Sequence, residues 1–155
     1  MSHENSFPLV GMSIMWIHQK GEYMAHPLIV TAAVIRKEGQ ILLTRRPAGK
    51  RDAGKWEFPG GKLGPNESPE DGLQRELLEE LNLPARIGKI YQVVHHIYDW
   101  GAVLLLFYDC HPLSDKIENR DVAEHRFVLL DKLAEYDILE ADWPVINQLI
   151  ADKHS

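Results

Sequence analysis

The stretch Trp56–Leu83, WEFPGGKLGPNESPEDGLQRELLEELNL, constrains the fold of this 155-residue chain more than any other. It opens on Pro59 and the pair Gly60–Gly61, passes through a polar turn and enters a helix. Leu73, Leu77 and Leu81 recur at i, i+4 and i+8, which makes an apolar stripe that must lie against a core. Glu76, Glu79 and Glu80 fall at i, i+3 and i+4, so they share one face beside that stripe. At about 100° per residue they span an arc of roughly 100°. Carboxylates this crowded repel one another unless a cation neutralises them. Hard divalent ions such as Mg²⁺, with Mn²⁺ as a substitute, prefer such oxygen ligands. An acidic helix face alone is ordinarily a solvated face; the glycine pair changes the reading, because it lets bare backbone approach a ligand or metal.

Both ends of the helix are marked. Ser68 suits the N-cap and Pro69 the first helical position, while Glu70 and Asp71 suit the positive helix end. Pro84 forbids continuation.

The spacing runs Gly61, five residues, Glu67, seven residues, Arg75-Glu76-Leu77, one residue, Glu79-Glu80, one residue, Asn82-Leu83. It resembles the Nudix box, G-x5-E-x7-R-E-U-x-E-E-x-G-U with U apolar. Only the late glycine departs, replaced by Asn82, the residue that best substitutes for glycine at a left-handed helix cap. The segment RRPAGK…KWEFPGGK resembles the MutT-like branch of that family. The resemblance covers roughly His26 to Lys153, and the box is its specific part.

The rest of the chain agrees with one domain. His26–Arg36 is a β-rich run buried on both faces; Glu38-Gly39-Gln40 turns it into Ile41–Arg46 as a hairpin. Pro47–Lys55 is a basic loop. Arg86–Tyr98 and Ala102–Cys110 form a second hairpin around Asp99-Trp100-Gly101, with the latter run in mid-sheet. His95 and His96 point to opposite faces, one packed and one exposed. A strand at Glu124–Leu130 and a short helix from Asp131 lead to an amphipathic helix at Asp142–Lys153, with Asp142 as its N-cap. The order β-β-α-β-β-β-α fits a mixed β-sheet between helices, the α/β/α sandwich of the Nudix family. Residues 24–155 are read as this domain, and 1–23 as an extension of unclear role. Met24 directly precedes the first strand, so the upstream segment reads as dispensable or as a misplaced start; loss of solubility or activity on truncation to Met24 refutes that.

Charge and cysteine use narrow the partners. A net charge of −6 argues against a basic grip on nucleic-acid polymer. The single Cys110 forms no internal disulfide and reads as a buried, inert thiol of a cytoplasmic protein. Phe7–Ile17 is too short to span a bilayer, and no export signal is evident. A monomer or homodimer is expected.

The resemblance implies a hydrolase of phosphoanhydrides. Water attacks phosphorus while charge builds on the phosphate oxygens; metal ions stabilise that charge and a carboxylate takes the proton. On this basis Glu79, Glu80 and the Gly60 carbonyl are expected metal ligands, and Glu76 a ligand or the base. Arg75 and Glu67 are expected to pair and hold the loop to the helix. Glu124 is the candidate for a distant carboxylate, with Asp121 and Glu118 in reserve. Arg46 and Lys62 are expected against phosphate or base. Asp142 is expected to meet the base, by accepting from a donor edge such as that of guanine, 8-oxoguanine or cytosine. Phe58, Tyr91 and Trp143 are stacking candidates that double as core. The leading expectation is a Mg²⁺-dependent nucleoside triphosphate pyrophosphohydrolase that cleanses the pool of 8-oxo-dGTP or acts on CTP. The alternatives are a Nudix hydrolase of another nucleoside diphosphate derivative and a non-catalytic nucleotide sensor.

Overall fold

Side-chain alternation along β1 (Leu28–Lys37) decides its place. Ala32 and Val34 enter one apolar cluster, and Ala33 and Ile35 the other. A strand buried on both faces sits inside its sheet. In the computed structural model, which describes residues 26–155, β1 runs parallel to β6 (Gly101–Pro112) and antiparallel to β2 (Gln40–Arg45). The strand order is β3-β2-β1-β6-β5, with β4 added on β1 and β7 on β2. β3 is Trp56–Glu57, β4 Gly60–Lys62, β5 Ala85–Tyr98 and β7 Glu124–Leu129. Helix α1 (Pro69–Leu81) covers one face through Leu73, Leu77 and Leu81, and α2 (Trp143–Lys153) covers the other through Val145, Ile146 and Leu149. The result is the expected mixed-sheet α/β/α sandwich. The extension at 1–23 and the boundary at Met24 lie outside the described residues.

Two strand expectations need correction. The β1–β2 hairpin closes only at Arg36–Ile41 and Lys37–Gln40. Beyond that point the strands take different partners: β1 pairs with β4, while β2 pairs with β3 and β7. The glycine pair expected in a tight loop belongs to β4, opposite Thr31 and Ala32. The segment Glu57–Gly60 therefore crosses from one strand pair to the other, and this crossing supports the site described below. The second hairpin forms as expected, with Tyr98 opposite Gly101 and β6 between β1 and β5.

The caps of α1 follow local rules. Ser68 Oγ accepts from the Asp71 N–H at 3.1 Å. Asn82 takes the left-handed conformation at φ 48°, ψ 35°, and its N–H donates to the Leu78 carbonyl at 3.0 Å. Asn82 thus does the work of the absent glycine. Cys110 is buried, and desolvation pushes its thiol up to about 12, so it is inert at neutral pH.

Candidate active site

β4 lies against α1 with no space for side chains. A Cβ on Gly61 would sit 2.4 Å from the Glu76 carboxyl carbon, and one on Gly60 would sit 2.0 Å from the Thr31 carbonyl oxygen. Gly60 also has φ +153°, where other residues are strained. The helix and the turn before it are joined by Arg75. Its Nε and Nη2 donate to Glu67 at 3.0 and 2.6 Å, its Nη2 also reaches the Lys62 carbonyl, and its Nη1 reaches Glu76 and Glu79 at 2.9 and 3.1 Å. Glu67 Oε1 accepts from the Gly64 N–H at 2.6 Å as well. The Arg75 bond, helped by that N–H, holds the Glu67 carboxyl down at about 2. The Arg75–Glu67 pair thus spans loop and helix, as expected.

Glu76, Glu79 and Glu80 line a polar cleft with Arg46, Lys62 and the Gly60–Gly61 backbone. Glu80 is 9% exposed. Burial first, then the nearby Glu57 and Glu76 charges, raise its carboxyl to about 8, against a hydrogen bond from the Gly60 backbone. Glu57 is the carboxylate that sequence reasoning missed, as Tyr98 and Trp100 are the aromatic residues. Burial raises the Glu57 pKa, while Arg46 Nη1 at 2.8 Å opposes the rise. Its only sequence signal is its place in WEFPGG, where nothing distinguishes it from an outward strand residue. Of the two reserve candidates, Asp121 lines the cleft and pairs with Lys50 at 3.1 Å, whereas Glu118 does not line it and pairs with Arg120 at 3.3 Å.

The donor chemistry fits a hard divalent cation. All the acidic groups offer oxygen, and the surplus negative charge around buried Glu80 is what such an ion relieves. Among the described residues, no three His, Cys, Asp or Glu side chains are gathered closely enough to hold an ion unaided. Arg75 pairs with both Glu76 and Glu79.

A second, mainly apolar cleft adjoins the first. Arg46, Arg51, Glu57, Gly60, Gly61 and Lys62 line both. Asp142 reaches into it: it holds the expected N-cap position of α2, but its side chain makes no capping bond to the helix. A 3-10 turn at Glu140–Asp142 leads directly into the helix, so the Asp142 backbone is already helical and its side chain turns inward. Its Oδ2 accepts from the Phe58 N–H at 2.9 Å. Burial, reinforced by the Glu57 charge, raises the carboxyl to about 8. Phe58 is 3% exposed and packs edge-to-face on Phe107. The aromatic wall is formed instead by Tyr98 and Trp100, stacked 5.2 Å apart with planes 7° from parallel.

The remaining candidates lie elsewhere. Glu124 is held by Arg45 at 3.3 Å and Arg126 at 2.5 Å and does not line either cleft. Tyr91 bonds Asp152 and lies under Arg36, and Trp143 packs on the α2-side core. His95 is exposed, whereas His96 packs on Tyr98.

A glycine strand pressed on a glutamate-bearing helix thus opens into a cleft with a carboxyl floor and an aromatic wall. Residues 25–149 match the NUDIX domain. The chain belongs to that family and is a MutT-like Nudix hydrolase, an enzyme class that acts on small nucleotide substrates with a divalent metal. It is 34% identical over 125 residues to the CTP pyrophosphohydrolase of Escherichia coli, covering 79% of this chain and 90% of that one. It is 32% identical over 127 residues to the 8-oxo-dGTP diphosphatase of Haemophilus influenzae, covering 81% and 93%. The MutT protein of Methanosarcina mazei superposes with a TM-score of 0.76 at 28% identity, covering 85% of this chain and 99% of that one. Among the described residues, no helix is long and apolar enough to cross a membrane.

Proposed function

We propose that this enzyme is a Mg²⁺-dependent nucleoside triphosphate pyrophosphohydrolase acting on 8-oxo-dGTP or CTP, releasing a nucleoside monophosphate and pyrophosphate. One observation carries the reading: the carboxylate cleft and the apolar cleft share a wall from Arg46 to Lys62, so one nucleotide can occupy both. The names of the curated relatives point to the same two substrates. Glu79, Glu80 and the Gly60 carbonyl would hold the cation, joined by Glu57 of the same cleft. When bound there, the ion screens charge on the phosphate oxygens and lowers the pKa of water. Glu76, packed on bare Gly61, either joins these ligands or takes the proton from the attacking water. Arg46 and Lys62 bind phosphate oxygens, and Arg75 with Glu67 keeps the helix and loop in register. Asp142, oriented by the Phe58 N–H, meets the base edge. An acidic chain with one buried cysteine fits a cytoplasmic monomer or homodimer with no nucleic-acid polymer as partner.

The test is turnover of 8-oxo-dGTP, dGTP, CTP, dCTP, ADP-ribose and a dinucleoside polyphosphate, each with Mg²⁺ and with Mn²⁺, with products resolved. Monophosphate and pyrophosphate from 8-oxo-dGTP or CTP is the expected result. Activity confined to the last two compounds moves the substrate, and binding without turnover turns the protein into a sensor.

A further inference from the structure

Trp100 stands at the tip of the β5–β6 hairpin, in a two-residue turn between the paired Tyr98 and Gly101. It lines the apolar cleft and stacks on Tyr98, whose hydroxyl is pushed up to about 12 by burial and by the Asp142 charge nearby. The Arg51 guanidinium, from the 47–55 loop across the cleft, lies 4.8 Å from the Trp100 ring centroid. Arg51 is exposed, and its backbone carbonyl accepts from Arg46 Nε at 2.7 Å. Arg46 in turn holds Glu57 at the junction of the two clefts. The chain therefore links the phosphate side of the site to the cation that covers the aromatic wall.

We propose that Trp100 and Arg51 select the base. Trp100 supplies the ring face on which the base stacks. Arg51 moves aside from that face to donate to a ring carbonyl on the outer edge of the base. The exchange is favourable because an exposed guanidinium–ring contact is weaker than stacking of a base on an aromatic side chain. Arg51 is donor-only, whereas the Asp142 carboxyl, one oxygen of which accepts from the Phe58 N–H, faces the inner edge. The site thus takes bases that combine an N–H donor with a ring carbonyl, such as guanine, 8-oxoguanine and cytosine. Adenine, which has no carbonyl oxygen, is rejected. The bond from Arg46 to the Arg51 carbonyl keeps the loop in reach, so a phosphate contact at Arg46 and base choice are coupled. This inference rests on the assignment of the apolar cleft to the base in the proposed function.

The experiment measures binding of CMP, 8-oxo-dGMP and AMP by calorimetry, alongside turnover of the corresponding triphosphates. Wild type is expected to bind AMP at least about tenfold more weakly than the other two. Trp100→Ala should weaken CMP and 8-oxo-dGMP about tenfold, with the turnover defect appearing in KM more than in kcat. Trp100→Phe, which keeps a ring, should restore most of that binding and guards against a misfolded alanine variant. Arg51→Ala should narrow the preference over AMP about tenfold. Unchanged affinity in Trp100→Ala together with an unchanged preference in Arg51→Ala overturns the inference. Wild type that binds the monophosphates with this preference yet cleaves no triphosphate overturns the proposed reaction and leaves base selection standing.

Discussion

Arg75 Nη2 donates to Glu67 Oε1 at 2.6 Å while its Nε donates to Oε2 at 3.0 Å, so one guanidinium clamps the turn to the helix with two parallel bonds. The remaining nitrogen, Nη1, holds Glu76 and Glu79. Arg75 therefore sets the spacing of the acidic face as well as the position of the loop.

The clamp has a pH signature. The Glu67 carboxyl falls from its ordinary 4.5 to about 2 in the folded state. A lowered pKa contributes stability that is present above about 4.5 and lost as pH falls towards 2. Wild type should therefore exceed Glu67→Gln in urea unfolding at pH 6, with the gap closing by pH 2.5. An equal gap at both values would show that the carboxylate charge is not what holds the turn.

The two glycines should fail differently. Gly60→Ala drives a Cβ into the Thr31 backbone at positive φ, and we expect a loss of about 2 kcal/mol or more. Gly61→Ala meets first the far end of the Glu76 side chain rather than backbone, so the fold should hold to within about 1 kcal/mol. Turnover in Gly61→Ala should nevertheless drop at least tenfold, because Glu76 is pushed out of the cleft. Thermal unfolding beside steady-state kinetics checks both, and a fully active Gly61→Ala would remove Glu76 from the mechanism.

Glu79→Gln should keep the fold and lose nearly all turnover, since an amide is a poor replacement for a carboxylate ligand. The side chain is 56% exposed, which leaves little packing to disturb. Retention of more than about a tenth of the rate, or roughly 1.4 kcal/mol in barrier, counts against the site.

Asp142 should make the protein weaken as pH rises. Its folded pKa of about 8 lies above the ordinary 3.8 because of burial and the Glu57 charge. The stability it contributes is fully present below 3.8 and is lost as pH climbs through 8. The slope approaches about 1.4 kcal/mol per pH unit at most. Asp142→Asn, whose amide oxygen can still accept from Phe58, should flatten this slope between pH 5 and 8 in chelator-treated protein. Parallel profiles for the two proteins would place the Asp142 proton elsewhere.

Much of the site could be read along the chain because it is local. The three glutamates, the apolar stripe and the caps at Ser68 and Asn82 all lie within one helix and its borders, where a fixed 3.6-residue turn converts spacing directly into a shared face. The Arg75–Glu67 pair was legible for the same reason. Glu57 was not, because a two-residue strand carries no period, and its importance comes from a neighbour on α1. Glu124 and Asp121 sit three residues apart, yet Asp121 lines the cleft while Arg45 and Arg126 hold Glu124 away from it.

The sequence alone therefore determined the helix, its ends, and its acidic and apolar faces. Tertiary structure decided which distant groups meet. The Phe58–Asp142 bond joins residues 84 apart, and Arg51 covers Trp100 from a separate loop. Periodicity states which side of an element is apolar, but not what the winding of the sheet brings against it. Asp142 makes the distinction plain: its local setting suggests a helix cap, while the β1–β2 split carries the Phe58 N–H to its carboxyl and turns it into the floor of a pocket.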